Sequence, residues 1–362
     1  MTQGAIVLTG GSGVVGMEVL ARLLERGEDD VIVLLRAADA DEADRRLHTI
    51  LGRLWRTVPA RDRVRAMPAD VTTPRLGLSA GDRHEIAATA DRIVHCAAAV
   101  GFDQPLPDAL AINALGTQRV LELGRDMPEL RRIVHVSTAF VSGRYDGCFH
   151  ETQLIAGQGF RNTYEQSKHL AERLVSSSEL PVVIARPSIV VGSADTGWTP
   201  AFSALYLPLR AFARGLLDRV PADPAGIVDA VPLDYVAASL VHLLDAPGIE
   251  GRTFNLVAGD RAATVGDVLG LAQTRFQQPE PTFAPLRRAG KADALVPYFD
   301  VRTTFDDRQA RELLEAQGIV AAPLDALFER LMDYAEATRW GRVPALREDA
   351  GAIGAEIGLA AA

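Results

Sequence analysis

The chain has 362 residues, 48% of them hydrophobic and 23% charged, enough for one large core or two interlocked ones. A formal net charge of −9 excludes nonspecific nucleic-acid binding as the main task, though not a local basic site. Two cysteines without CxxC spacing, histidines without HExxH, no charged leader before an apolar signal region and no bilayer-length apolar run predict a cytoplasmic protein with reduced thiols, no transmembrane segment and no metal site.

In chain order, short apolar runs alternate with helical patterns. "AIVLTG" (5–10) precedes a helix over 14–26, and "VIVLLR" (31–36) precedes a further strand that Asp70 and Val71 end in "PADVTTP". "RIVHCAA" (92–98) leads to a helix over 108–125, then "RIVHVST" (132–138), a helix over 164–178 and "PVVIARPS" (181–188). The runs are β-branched and apolar throughout rather than alternating, as parallel strands buried on both faces require, so the expected fold is a doubly wound α/β sheet. After residue 198 the rhythm breaks into a helix-like 201–217, then 229–244 and 253–259, read as chain returning to the sheet layer. From about 263 the pattern is mainly helical, with 323–340 the clearest helix and an apolar, small-residue tail that frays or docks.

The first strand runs into "TGGSGVVG": Thr9, Gly10, Gly11, Ser12, Gly13, Val14, Val15 and Gly16. Two registers fit, GxxGxxG through Gly10, Gly13 and Gly16 or GxGxxG through Gly11, Gly13 and Gly16. Either gives a tight turn, close backbone approach to a pyrophosphate and a helix N-terminus facing it, so this stretch is expected to bind a dinucleotide. Twenty residues after Gly16, where NAD enzymes place a ribose-binding carboxylate, stands Arg36, a cation able to pair with a 2′-phosphate. NADP(H) is therefore expected over NAD(H). Arg45 and Arg46 assist or are simply solvated, and Asp39 and Asp41 lie close enough to complicate the choice. Asp70, followed by Val71, hydrogen-bonds an adenine or caps a loop.

In "NTYEQSKHLAERLV" the i,i+4 pair Tyr164 and Lys168 shares a helix face, where an ammonium favours an ionised phenol. Leu170, Leu174 and Val175 also sit at helical spacing, so an ordinary amphipathic helix explains part of the segment. Ser137 and Thr138 lie at the C-terminal end of a strand, the edge where open α/β sheets bind ligands.

These residues, with "HCAAAVGFDQPLPDALAINALGTQRVLEL", "VHVSTAFVSGRYDGCFHE", "RPSIVVG", "VPLDYVA" and, more loosely, "LVPYFDVRTTFDDRQARELL", resemble the extended short-chain dehydrogenase/reductases. Within them, the chain is similar to the branch of fatty acyl-CoA reductases and of the thioester reductase domains that end carboxylic-acid reductases and peptide synthetases. The resemblance implies a Rossmann domain over 1–198, with 228–262 returning to it, and a smaller substrate domain from 199–227 and 263–362. It implies Tyr164 as proton donor, Lys168 lowering its pKa together with the oxidised nicotinamide and bonding the ribose, and Thr138 holding the substrate oxygen. Asn113 supports the lysine or is a packing amide, Pro187 and Ser188 lie beside the carboxamide, and Ala97 and Ala98 leave room for the cofactor or merely suit the sheet. Ser142 stands where many extended members carry a tyrosine, which disfavours a sugar-nucleotide epimerase.

The implied reaction is NADPH-dependent reduction of an acyl thioester to an aldehyde, and with a second hydride to the alcohol. The thioester is expected from outside, as acyl-CoA or on an acyl carrier protein, because the chain carries no adenylation region or carrier serine motif. Arg210, Arg214, Arg287, Arg288 and Lys291 meet its phosphates or are scattered surface cations; Phe102, Phe140, Trp198, Phe202 and Tyr206 line an acyl pocket or belong to the core. Two other readings stay open: an NADP(H)-dependent aldehyde or ketone reductase, or alcohol dehydrogenase, on the same scaffold, and a noncatalytic NADP(H) sensor. No GxSxG elbow is present, His95 and His135 fit core roles, and without a heptad seam the oligomeric state is open.

Overall fold

The computed structural model describes residues 4–202, 204–217, 219–284 and 296–353, and the chain divides into two compact units. The first comprises Met1–Val141, Thr163–Arg186 and Val236–Phe254. Its strands are β1 (Ala5–Thr9), β2 (Val31–Leu35), β3 (Val64–Pro68), β4 (Ala90–His95) and β5 (Arg132–Val136), followed by Val182–Pro187 and Thr253–Leu256. The helices between them are α1 (Val14–Arg26), α2 (Ala40–Leu54), α3 (Ala80–Thr89), α4 (Leu106–Asn113), α5 (Leu115–Arg125) and α6 (Thr163–Ser176).

Seven strands form one sheet in the order Thr253–Leu256, Val182–Pro187, β5, β4, β1, β2, β3. From Val182–Pro187 to β3 every pairing is parallel, with Leu8 opposite both Val33 and Val94. All five residues of β1, β2 and β5 are buried, which is why their sequences show no polar alternation. The strand order reverses between β1 and β4, and at such a switch point the carboxyl ends of the strands open a crevice.

At the opposite end of the strands Arg92 is fully buried. Its guanidinium reaches Asp29 (2.7 Å), Asp91 (2.8 Å), Asp245 (2.9 Å) and the Gly4 carbonyl (2.9 Å). Arg132 donates to the carbonyls of Leu243 and Ala246, satisfying the C-terminal end of the helix Leu233–Asp245.

The helix expected over 108–125 is two helices that meet at Ala114. The Thr117 hydroxyl donates to the Asn113 carbonyl four residues back, a bond that bends helices, while the Asn113 side chain turns away to other partners. In α6 the buried face is polar: Glu165, Ser167, Lys168 and Glu172 lie inward with Ala171 and Val175, whereas Leu170 and Leu174 are half-buried.

The second unit comprises Ser142–Asn162, Pro187–Tyr235 and Asn255–Ala362. Short strand pairs frame it: Gly147–Phe149 with Thr303–Phe305, Ile189–Val191 with Ala230–Pro232, Arg219–Pro221 with Thr282–Ala284, and Ile227–Val228 with Ala263–Thr264. Its core joins Leu209 and Phe212 to Val268, Ala272, Phe328 and Leu331. The helix expected over 201–217 is confined to Tyr206–Ala213, bracketed by left-handed residues Ala204 (φ 44°) and Gly215 (φ 66°). Helix Arg308–Glu315 is capped from afar: the Glu151 carboxylate accepts from the backbone N–H of Gln309 (2.7 Å) and Ala310 (3.0 Å).

Candidate active site

β1 delivers the chain into the glycine turn. Gly10 is left-handed (φ +73°), and a Cβ there would stand 2.5 Å from the Ala97 nitrogen. Gly13 N–H donates to the Gly10 carbonyl at 2.9 Å, and a Cβ at Gly16 would fall 2.2 Å from that same oxygen. The spacing through Gly10, Gly13 and Gly16 is thus the interlocked one, while Gly11 faces Val33. α1 starts with Gly13 at its N-cap, no side-chain cap and no acid in its first turn, beside an exposed Ser12 and half-buried Val14 and Val15. This turn is a cradle that side chains would fill, and it fits the pyrophosphate of a dinucleotide.

The Thr9 hydroxyl faces inward to His95 Nδ1 (2.7 Å) and accepts from Ala97 N–H (3.2 Å), tying the ends of β1 and β4 together. Ala97 and Ala98 are half-buried just past β4. Arg36 is exposed after β2, and Arg46 donates to its carbonyl, so these two cations sit together. Two nearby acids are occupied locally: Asp39 caps α2 through Glu42 N–H (2.8 Å), and Glu42 accepts from Ala38 N–H (2.8 Å). Asp70 uses Oδ1 to hold Thr72 N–H (2.8 Å) and hydroxyl (2.7 Å), the loop-capping geometry; the Val71 carbonyl accepts from Arg119.

At the end of β5 the Thr138 hydroxyl is hydrogen-bonded to the Tyr164 hydroxyl, and Phe102 packs on the Tyr164 ring with centroids 6.0 Å apart. Burial outweighs the help of Thr138 and pushes the phenol up to about 12. Lys168 is buried and donates to the Val136 carbonyl at 2.7 Å; burial pushes its amine down to about 8 against the opposing pull of Glu172. The expected lowering of the Tyr164 pKa is therefore absent in this geometry, because desolvation of the phenolate dominates and the ammonium is turned to Val136.

Asn113 bonds both main-chain groups of Ala99 (2.8 and 3.0 Å) and the Ser167 hydroxyl (2.9 Å), pinning the chain after β4 to α6 one residue before Lys168. His95 is satisfied by Thr9 and Thr117, and burial holds its ring at about 3. His135 packs on His95 at 5.4 Å, and among the described residues neither of its ring nitrogens finds a partner. Burial pushes the Cys96 thiol up to about 12.

Pro187 ends its strand, and the buried Ser188 donates its N–H to the Leu256 carbonyl at 3.2 Å. Arg210 is half-buried and Arg214 exposed; Arg287, Arg288 and Lys291 lie outside the described residues. Phe202 and Tyr206 pack edge to face at 5.0 Å in the core of the second unit, and Trp198 and Phe140 are buried.

Sequence reasoning passed over Glu172 and Arg186, which form a fully buried pair joined by Ser137. Two signals pointed there. Glu172 follows Lys168 at the same four-residue step by which Lys168 follows Tyr164, and of 38 Lys and Arg residues only Lys168 and Lys291 are lysines.

The male sterility protein family matches residues 8–240. Fatty acyl-CoA reductase wat of Drosophila melanogaster is 29% identical over 273 residues, 65% of this chain and 53% of that protein. Isonitrile lipopeptide synthase of Streptomyces coeruleorubidus is 32% identical over 256 residues, 67% of this chain and 17% of the synthase. The chain thus spans about half the length of the fatty acyl-CoA reductase it matches and a small part of the synthase. Among solved structures, the terminal R domain of the myxalamid PKS-NRPS pathway shares the fold at a TM-score of 0.82 and 23% identity, covering 95% of this chain and 93% of that one. MoeE5 in complex with UDP-glucose and NAD follows at 0.67 and 22%, covering 94% and 99%. A match over most of the sheet, from β1 through the Tyr164 helix, places the chain in the male sterility protein family, with the fold that the solved R domain and MoeE5 share.

Proposed function

We propose that the protein is an NADPH-dependent reductase of acyl thioesters, delivered as acyl-CoA or on a carrier protein. The observation that carries this reading is the hydroxyl pair Thr138–Tyr164 at the end of β5, one helical turn from the buried Lys168. The kinship with fatty acyl-CoA reductases and with synthases supports a thioester as the carbonyl substrate. Bound NADPH supplies a hydride to the carbonyl carbon.

Thr138 orients the substrate oxygen and Tyr164 transfers its proton to it as the oxygen gains charge. A hemithioacetal results and collapses to aldehyde and thiol; a second round on the aldehyde gives the alcohol. With the cofactor bound, Lys168 would bond the nicotinamide ribose and, together with the charge of the oxidised ring, would offset the desolvation that holds the Tyr164 proton. Arg36, with Arg46 beside it, receives the 2′-phosphate, and the turn from Gly10 to Gly16 receives the pyrophosphate. Two free cysteines accord with a cytoplasmic setting.

The test follows reduced-nicotinamide absorbance with NADPH and NADH, using acyl-CoAs, phosphopantetheine-bound acyl carriers and matching free aldehydes, with thiol titration alongside. Thiol release in step with NADPH loss is expected, and Tyr164→Phe should abolish it. Aldehyde turnover without thiol from any thioester would make the protein a carbonyl reductase, and undiminished turnover by Tyr164→Phe would remove the tyrosine from the chemistry.

A further inference from the structure

We infer that Glu172 is a positioning residue of the reducing centre, holding the Thr138 end of β5 and the Lys168 turn of α6 in register through one buried carboxylate. The inference rests on the reading of Tyr164, Thr138 and Lys168 given above. Glu172, Arg186 and Ser137 are 0%, 1% and 3% exposed. Arg186 grips both carboxylate oxygens: its Nε lies 2.9 Å from Oε1 and 3.2 Å from Oε2, and Nη2 also donates to Oε1. The Ser137 hydroxyl donates to Oε2 at 2.6 Å, and its N–H donates to the Ala185 carbonyl at 2.7 Å.

Three pieces of chain therefore meet at one carboxylate: the residue before Thr138, the turn of α6 after Lys168, and the residue before Pro187. A guanidinium fork fixes the plane of the carboxylate, and the serine bond fixes the strand end against that plane. Such a pair contributes little net stability, since matched apolar side chains would fill the space as well, but it sets geometry at the scale hydride and proton transfer require.

The charge acts too. Facing the Lys168 amine are the neutral rings of His95 on β4 and His135 on β5, and the un-ionised Cys96 thiol; Glu172, on its own helix, supplies the anion that holds the proton on the amine. His169 in turn feels both Glu172 and Arg186.

Because only Lys168 and Lys291 are lysines, protein labelled with [13C,15N]lysine gives two side-chain signals, and Lys291→Arg assigns them. We would titrate Lys168 by NMR and measure kcat and the KM for NADPH with the fastest substrate of the panel above, in Ser137→Ala, Glu172→Gln and the double variant Glu172→Met/Arg186→Met. In Glu172→Gln, Lys168 should titrate at least about half a pH unit lower and kcat should fall about tenfold or more, with the KM for NADPH within about twofold. Ser137→Ala should lower kcat about threefold to tenfold and leave the Lys168 titration in place. If Glu172→Gln fails to fold, the double variant carries the charge test, since it leaves no lone buried guanidinium.

Wild-type kcat and an unmoved Lys168 titration in the folded double variant, or a kcat loss that only tracks the folded fraction, would overturn the inference. An active Tyr164→Phe would instead sink the underlying reading, so the two failures are distinct.

Discussion

At position 168 an arginine could not do what the lysine does. Arginine holds its proton at any working pH, whereas a buried amine can be tuned, and this chain otherwise uses arginine almost throughout. The folded protein binds the Lys168 proton less tightly than the unfolded chain, about 8 against the usual 10.5. The cost of burying the ammonium is therefore complete below pH 8 and shrinks as pH rises from 8 towards 10.5; at about 1.4 kcal/mol per pH unit it amounts to roughly 3 kcal/mol. Lys168→Met is expected to be inactive yet more stable than wild type in urea at pH 7, by about 1–3 kcal/mol, with the gap narrowing by about pH 9.5. An equal gap at both pH values would show that packing, not charge, decides. Arg36→Ala tests the cofactor: KM for NADPH should rise about tenfold while that for NADH stays put. Of this site, Tyr164, Lys168 and Thr138 were legible because strand end and helix start flag them. Glu172 was not, since a glutamate in a helix reads as surface, and the leucines of α6 suggested an apolar buried face where the fold places a polar one.

Elements were legible where chemistry is local. The bounds of α1 and the five strand runs follow from apolar clustering and the glycines that punctuate it, and each strand ends within a few residues of its sequence expectation. Where tertiary bonds intervene the pattern misleads: the break at Ala114 depends on Asn113 reaching Ala99, and helix Tyr206–Ala213 stops short because the chain turns left-handed on both sides. The glycine turn is the element with least tolerance. In Gly16→Ala the new methyl would stand 2.2 Å from the Gly10 carbonyl, backbone that cannot swing aside. Loss of NADPH affinity by more than about tenfold is expected by isothermal titration, with a thermal midpoint lower by several degrees. Unchanged binding would mean that the turn relaxes without consequence.

At the scale of the molecule the chain passes from one unit to the other five times, at 141/142, 162/163, 186/187, 235/236 and 254/255. Residues 236–254 carry Asp245, a partner of Arg92 and Arg26, and the carbonyls that receive Arg132. A fragment 1–198 retains the glycine turn and Tyr164 but strips buried Arg132 of its carbonyl acceptors and removes Asp245 from Arg92 and Arg26, so it should show no cooperative thermal transition by circular dichroism. A sharp melt and NADPH binding by that fragment would show that the first unit is self-sufficient.

The interleaving also bears on how such a protein can be altered. The piece bearing Tyr164, Lys168, Glu172 and Arg186 is a 24-residue insert, Thr163–Arg186, bounded on both sides by crossings. Grafting a foreign second unit would need a seam at every crossing, and two of those seams would flank the proposed reducing centre itself. On the proposal that the second unit holds the substrate, changes of substrate preference are therefore more readily reached by substitution and loop extension within it than by recombination of whole modules.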